Sequence, residues 1–253
     1  MPVPARALVE EVPFITTPDN VTLAMLTLAG VHGGDHVLDL GSGDGRIVIT
    51  AARRFGARGS GVEIVPDLVA RSQAAARQAG VADRVAFRVQ DLFETDLAVA
   101  SVITMYLLPD VNLKLRPALL KLAPGTRIVS HDWDMGDWAP DETLTLDVPD
   151  KPIGREKKSR LHRWVVPARA EGLWCGLEGR ELQITQRYQA VQAHWRIGER
   201  QWALQGRLDG RALILLGGGG SAGSGLRAQV HDDRIELAGT PPLTRASGGR
   251  CPA

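Results

Sequence analysis

The chain has 253 residues, 44% of them hydrophobic and 23% charged, with a formal net charge of +1. That length fits one sizeable core, or a core of ordinary domain size with a small appendage, and the near-zero charge excludes a global field that would recruit nucleic acid or an anionic membrane nonspecifically. The two cysteines, Cys175 and Cys251, lie far apart with no C-x-x-C or His/Cys cluster, so neither a disulfide framework nor a metal site is expected.

The opening stretch, MPVPARALVEEVPF, carries prolines and two glutamates where a signal peptide needs a continuous apolar run. No 18-residue apolar run follows, so no membrane span is expected and the expected compartment is the cytoplasm. From Asn20 onward short β-branched runs alternate with Ala/Leu/Arg segments at helical spacing. The order is VTLAMLTLAGV (21–31), HVLDL (36–40), RIVITAARRFG (46–56), GSGVEIV (59–65) and PDLVARSQAAARQAGV (66–81). RVAFRVQD (84–91), SVITMYLL (101–108), NLKLRPALLKLAPG (112–125) and TRIVSH (126–131) continue it. This alternation predicts βαβ units around a parallel, Rossmann-like α/β sheet, with Gly56, Gly80 and Gly125 as helix C-terminal caps. TLTLDV (143–148) and LHRWVVP (161–167) have no helix between them and predict an antiparallel pair at the sheet edge.

After Pro167 the composition changes to short strands with Gly-containing turns, and four of the six tryptophans fall after residue 160. A first domain over 1–167, a small β-rich meander or barrel over 168–239 and a disordered tail over 240–253 are expected. GGGGSAGSG (217–225) reads as a flexible linker or long hairpin loop within the second unit.

The chemistry concentrates in VLDLGSGDGRIVI (37–49), a Gly-rich loop between a strand and a helix. A dinucleotide fingerprint, G-x-G-x-x-G, needs a third glycine where this chain has Arg46, and a P-loop needs a lysine that is missing. Asp39, two residues before Gly41, would repel a pyrophosphate and hold an ammonium group well. The ligand is therefore expected to be cationic on that side.

The order D-L-G-S-G-D-G, then Glu63 ending the second strand, then Asp91 after the third, resembles class I S-adenosylmethionine-dependent methyltransferases. The resemblance implies that Asp39 and the backbone around Gly41 and Gly43 face the methionine end of S-adenosyl-L-methionine. It implies that Glu63 accepts both ribose hydroxyls and that Asp91 accepts the adenine amino proton, with Leu92 supplying backbone and apolar contact. Upstream, VPFITTPDNVTLAMLTLAGV is similar to a segment of the lysine methyltransferases that act on the mitochondrial ADP/ATP carrier and the ATP synthase c subunit, and of their bacterial relatives. Pro13, Phe14, Thr17 and Pro18 carry that likeness, and it implies that Thr17 helps close the carboxylate end of the cofactor. The likeness covers about residues 10–135. It is specific for cofactor and fold, less so for the acceptor.

Methyl transfer from a sulfonium is an in-line displacement in which alignment in a dry pocket does most of the work. A lysine amine must first lose a proton, which calls for a low-dielectric mouth or a nearby carboxylate or tyrosine. Ligands of open α/β sheets lie at the carboxyl ends of the strands. The candidates there are Tyr106, His131 and Asp132, with Asp110 behind them and Trp133 and Trp138 as walls for a methylated amine. Nucleobase-amine methylases carry N/D-P-P-Y/F at the end of strand four where this chain reads TMYLLP, so a nucleic-acid acceptor is disfavoured. KPIGREKKSR (151–160) reads as a solvated hairpin tip or a docking site for an acidic partner. The expected function is methyl transfer to a protein lysine amine, with a small-molecule acceptor or a noncatalytic cofactor-binding role as alternatives.

Overall fold

The computed structural model describes residues 14–151, 156–217, 225–246 and 250–251. The chain divides into two compact units: one reaches Leu122 and resumes over Thr126–Trp164, the other joins Ala123–Gly125 to the residues from Val165 onward.

The first unit is a sheet flanked by helices. Asp19 sits in the first turn of α1 (Asp19–Leu28), and Val21, Thr22, Met25 and Leu26 form its buried stripe. Helix α2 (Arg46–Phe55) runs between Gly45 and Gly56, both left-handed, with Ile47, Val48, Ala51 and Ala52 buried and Arg53 and Arg54 in its last turn. Helices α3 (Pro66–Gln78) and α4 (Pro109–Leu119) each open on a proline, whose missing N–H costs nothing in a first turn.

Strands β1 (His36–Leu40), β2 (Arg58–Glu63), β3 (Val85–Val89), β4 (Val102–Met105) and β5 (Arg127–His131) pair in parallel. Strands β6 (Glu142–Asp147) and β7 (Lys158–Val165) form the antiparallel edge pair, with Leu144 opposite Leu161. The seven strands lie in the order β3-β2-β1-β4-β5-β7-β6. Connections run outward in opposite directions from β1 and β4, and the crevice at their carboxyl ends is where such sheets take ligands.

The second unit is a closed eight-stranded antiparallel barrel. Its strands are β8 (Gly172–Cys175), β9 (Arg180–Arg187), β10 (Ala190–Ile197), β11 (Arg200–Asp209), β12 (Ala212–Gly217), β13 (Leu226–Val230), β14 (Arg234–Leu237) and β15 (Leu243–Arg245). Trp174, Leu182, Ile184, Leu208, Leu213 and Val230 are among the side chains filling it, so the interior is a packed core. Two expectations need correction. The stretch expected to be disordered, 240–253, supplies β15, with Leu243 buried in the barrel core. Cys175 and Cys251 form a disulfide, with Cα atoms 5.4 Å apart, because closure pairs β15 with β8 and brings the residues beyond β15 back to Cys175. Most of 217–225, read as a linker, lies outside the described residues. No described helix is long and apolar enough to cross a membrane.

Candidate active site

The turn from β1 into α2 places Gly41, Gly43 and Gly45 at φ 74°, 51° and 79°. Two of these positions admit no side chain. A Cβ at Gly43 would run into the Phe14 ring, and one at Gly45 would stand 2.6 Å from Ser72 and 2.7 Å from Phe87. The loop amides are already engaged with β2. Gly41 and Ser42 donate to the Val62 carbonyl at 3.0 and 2.9 Å, and Gly43 donates to Glu63 Oε2 at 3.0 Å. A phosphate cradle leaves such amides aimed outward at the anion, so this loop is built for another ligand.

Glu63, buried at the end of β2, is fixed at its other oxygen as well, where Oε1 accepts from Ile64 at 2.7 Å and Val65 at 3.0 Å. Asp39 is buried and accepts from the Thr104 hydroxyl at 2.7 Å. Its burial outweighs that hydrogen bond, and the nearby charges of Asp44 and Glu63 add to push its pKa up to about 8. A carboxyl kept protonated by burial suits a ligand that brings a positive charge to it. S-adenosylmethionine, with a cationic amino group and donor ribose hydroxyls, fits Asp39 and Glu63.

Arg46 stands where a dinucleotide fold needs glycine, and here it has a different task. Its Nη2 and Nε meet the Asp44 carboxylate at 2.7 and 3.0 Å, and Nη1 donates to the Thr17 carbonyl at 2.9 Å. Burial opposes ionisation of Asp44, but Arg46 holds its carboxyl below the usual range. Thr17 is buried, so the segment from Phe14 to Pro18 is clamped across the glycine loop. Pro13 lies outside the described residues. Asp91 Oδ1 accepts from the Phe93 N–H at 2.8 Å and caps a short 3-10 turn over Leu92–Glu94, leaving Asp91 and Leu92 half-buried at the end of β3.

The end of β4 abuts this loop, since a Cβ at Gly41 would lie 3.0 Å from Leu107. Next to Leu107, the Tyr106 ring covers His131 at a centroid distance of 3.9 Å, and its hydroxyl donates to Asp132 Oδ2 at 3.3 Å. Asp132 follows β5 at φ 64°, a left-handed conformation unusual outside glycine. Several polar contacts hold it: among them its N–H donates to the Arg160 carbonyl at 2.6 Å, Oδ1 accepts from the Arg160 N–H at 3.1 Å, and Oδ2 accepts from Tyr106 and, at 2.6 Å, from Lys151 Nζ. Burial raises the Tyr106 pKa to about 12, with Asp132 adding to it. His131 is 1% exposed, its Nε2 bonds Ser159 Oγ at 2.8 Å, and burial brings its pKa down to about 4.

Tyr106, His131 and Asp132 thus come together, with His131 beneath Tyr106 rather than open to an acceptor. Asp110 is exposed in the first turn of α4. Trp138 is not a pocket wall: it is fully buried, 5.9 Å from the Trp164 ring, and its carbonyl accepts from Trp164 Nε1 at 2.8 Å. Trp133 is 44% exposed. Of the basic run 151–160, residues 152–155 lie outside the described residues, and Lys151 is buried against Asp132 rather than solvated. Sequence reasoning missed Lys151, Ser159 and Thr104. A lysine that ends a turn looks like any hairpin charge, and nothing local marks its burial.

Residues 39–142 match the ANTKMT methyltransferase domain. A protein-lysine N-methyltransferase of Saccharolobus islandicus is 42% identical over 141 residues, 55% of this chain and 88% of that protein. The adenine nucleotide translocase lysine N-methyltransferase of Mus musculus is 33% identical over 51% of this chain, and the match spans only 57% of the mouse protein. A crystal structure of an RNA methyltransferase from Salinibacter ruber, in complex with S-adenosyl-L-homocysteine, is 52% identical, with a TM-score of 0.57 over 61% of this chain and 95% of that one. Buried Asp39, the glycine turn, Glu63 and these relationships converge, and the chain belongs to the S-adenosylmethionine-dependent methyltransferases.

Proposed function

We propose that the acceptor is the ε-amine of a protein lysine. The observation that carries this reading is the Tyr106 hydroxyl, whose proton is committed to Asp132 at 3.3 Å. Its oxygen then offers lone pairs, which accept an N–H of an incoming amine and turn the nitrogen lone pair toward the methyl group. The lysine methyltransferases among the relatives support the same acceptor class.

S-adenosylmethionine, when bound, supplies an electrophilic methyl on a positively charged sulfur. Asp39 takes up the cationic amino end, Glu63 accepts the ribose hydroxyls, and Asp91 with Leu92 receives the adenine. Thr17, clamped by Arg46, closes the carboxylate end. Tyr106, aimed by Asp132, orients the amine, which gives up its proton to solvent before attack, while neutral His131 forms the floor under Tyr106. Alignment of this kind contributes several kcal/mol to a displacement. The reading places the enzyme in the cytoplasm, where the Cys175–Cys251 bond has to withstand a reducing pool.

The test is incubation with methyl-labelled S-adenosylmethionine and lysate of the source cell, separated into protein, RNA and small-molecule fractions. Label in protein, mapped to methyl-lysine by mass spectrometry, supports the reading. The Salinibacter structure, named as that of an RNA methyltransferase, favours RNA as a second reading, and label confined to RNA would establish it.

A further inference from the structure

We infer that Lys151 is a positioning residue for methyl transfer: acting through Asp132, it fixes the Tyr106 hydroxyl and cancels the Asp132 charge where the acceptor enters. The inference rests on the lysine-acceptor reading for its kinetic consequence, though not for its geometry.

Lys151 sits between the edge strands β6 and β7, yet its side chain is only 10% exposed. Lysines are rarely buried unless paired, and this one is paired. Nζ donates to Asp132 Oδ2 at 2.6 Å and to the Lys158 carbonyl at 2.6 Å, and the Lys151 carbonyl accepts from Lys157 Nζ at 2.8 Å. Lys151 and Tyr106 thus meet at one oxygen of one carboxylate. That carboxylate belongs to a residue in a left-handed conformation, which persists only where its surroundings over-determine it. Without the ammonium, Oδ2 has one fixed donor fewer, and the Tyr106 hydroxyl loses the partner geometry that aims it.

The charge has a second effect. Asp132 alone would be an anion beside the acceptor, pairing with a lysine ammonium and stabilising its unreactive, protonated form. Tight binding of that ground state does not accelerate transfer. Lys151 neutralises the carboxylate and leaves an aspartate that orients Tyr106 without capturing the substrate cation.

The experiment uses the full chain labelled with 3-fluorotyrosine. The protein has two tyrosines, Tyr106 and Tyr188, so two fluorine signals arise, assigned with Tyr106→Phe. Lys151→Met should move the Tyr106 signal away from its wild-type position, and Lys151→Arg should restore it toward wild type. An unmoved Tyr106 signal in folded Lys151→Met overturns the inference whatever the acceptor is. In a second arm, with poly-L-lysine as acceptor, Lys151→Met should lower kcat by roughly tenfold and lower KM with it, with partial recovery in Lys151→Arg. A lower kcat with unchanged or higher KM, unrescued by arginine, also overturns it. If wild-type protein leaves poly-L-lysine unlabelled, the lysine reading is what fails, and the fluorine arm still decides the role of Lys151.

Discussion

Thr104 on β4 donates its hydroxyl to the carboxyl of Asp39 on β1 at 2.7 Å, across a parallel pair in which the two residues stand directly opposite. Asp39 nonetheless has its pKa raised to about 8, chiefly by burial, so near neutral pH the ligand-free protein keeps it protonated. A cationic cofactor group favours the ionised form, so binding expels a proton and affinity increases as pH approaches 8. Calorimetry over about pH 6–9 in buffers of different ionisation heat reads both effects. Asp39→Asn should weaken binding by roughly 1.5–3 kcal/mol, as for a hydrogen bond to a charged group, and abolish the proton release. Comparison with this variant separates Asp39 from the cofactor's own amine. Equal proton release in the two proteins would remove Asp39 from the site.

Glu63 holds two things at once, the glycine loop through Gly43 and the start of the β2–α3 turn through Ile64 and Val65. Glu63→Ala should cost roughly 1–3 kcal/mol of cofactor binding, and Glu63→Gln less, because an amide oxygen still accepts. A dissociation constant unchanged by calorimetry in Glu63→Ala would show that the ribose lies elsewhere.

His131 titrates at about 4 in the folded protein, below its ordinary 6.5, with burial as the main cause. Between those values the unfolded chain binds the extra proton, so this contribution to stability is complete above pH 6.5 and is lost as pH falls towards 4. Lowering pH from 7 to 5 should therefore destabilise the sheet unit by roughly 2 kcal/mol through this residue. His131→Gln should flatten that slope in urea titrations followed by tryptophan fluorescence. The same depressed pKa implies that His131 contributes no ionisation to the rate profile between about pH 6 and 8.

The Cys175–Cys251 link closes a loop of 76 residues around the barrel. Cys251→Ser should lower barrel stability by about 2–4 kcal/mol, read as a fall in its melting temperature, with cofactor binding by the other unit unchanged. A barrel that melts identically with and without reductant would show that the bond contributes nothing.

What the sequence disclosed follows its range of interaction. The placing of the β1 turn, Glu63 and Asp91 at strand ends was legible because periodicity locates those ends, and their spacing along consecutive βα units is a local pattern. The edge pair was legible because no helical segment separates 143–148 from 161–167. The partners of Asp132 were not, since Arg160 and Lys151 reach it only through the β5–β7 pairing, which no local pattern encodes. Arg46 was visible as a departure from the dinucleotide motif, but its grip on Thr17 spans 29 residues and had to be seen in space. The disulfide escaped for the same reason. Cys251 sits among glycines and prolines that read as disorder, and only barrel closure brings it to Cys175.

That closure fixes an order of events during synthesis. Arg245, ending β15, donates to the carbonyls of Glu171 and Arg169 at 2.6 and 3.0 Å, and its guanidinium lies 4.2 Å from the centre of the Trp174 ring. Until that residue has left the ribosome, β8 and β14 are open edges that can recruit other strands. Every strand of the sheet unit has emerged by Val165. The nascent chain therefore passes through a stage in which every strand of the sheet has been made while the barrel is still an unsealed ribbon.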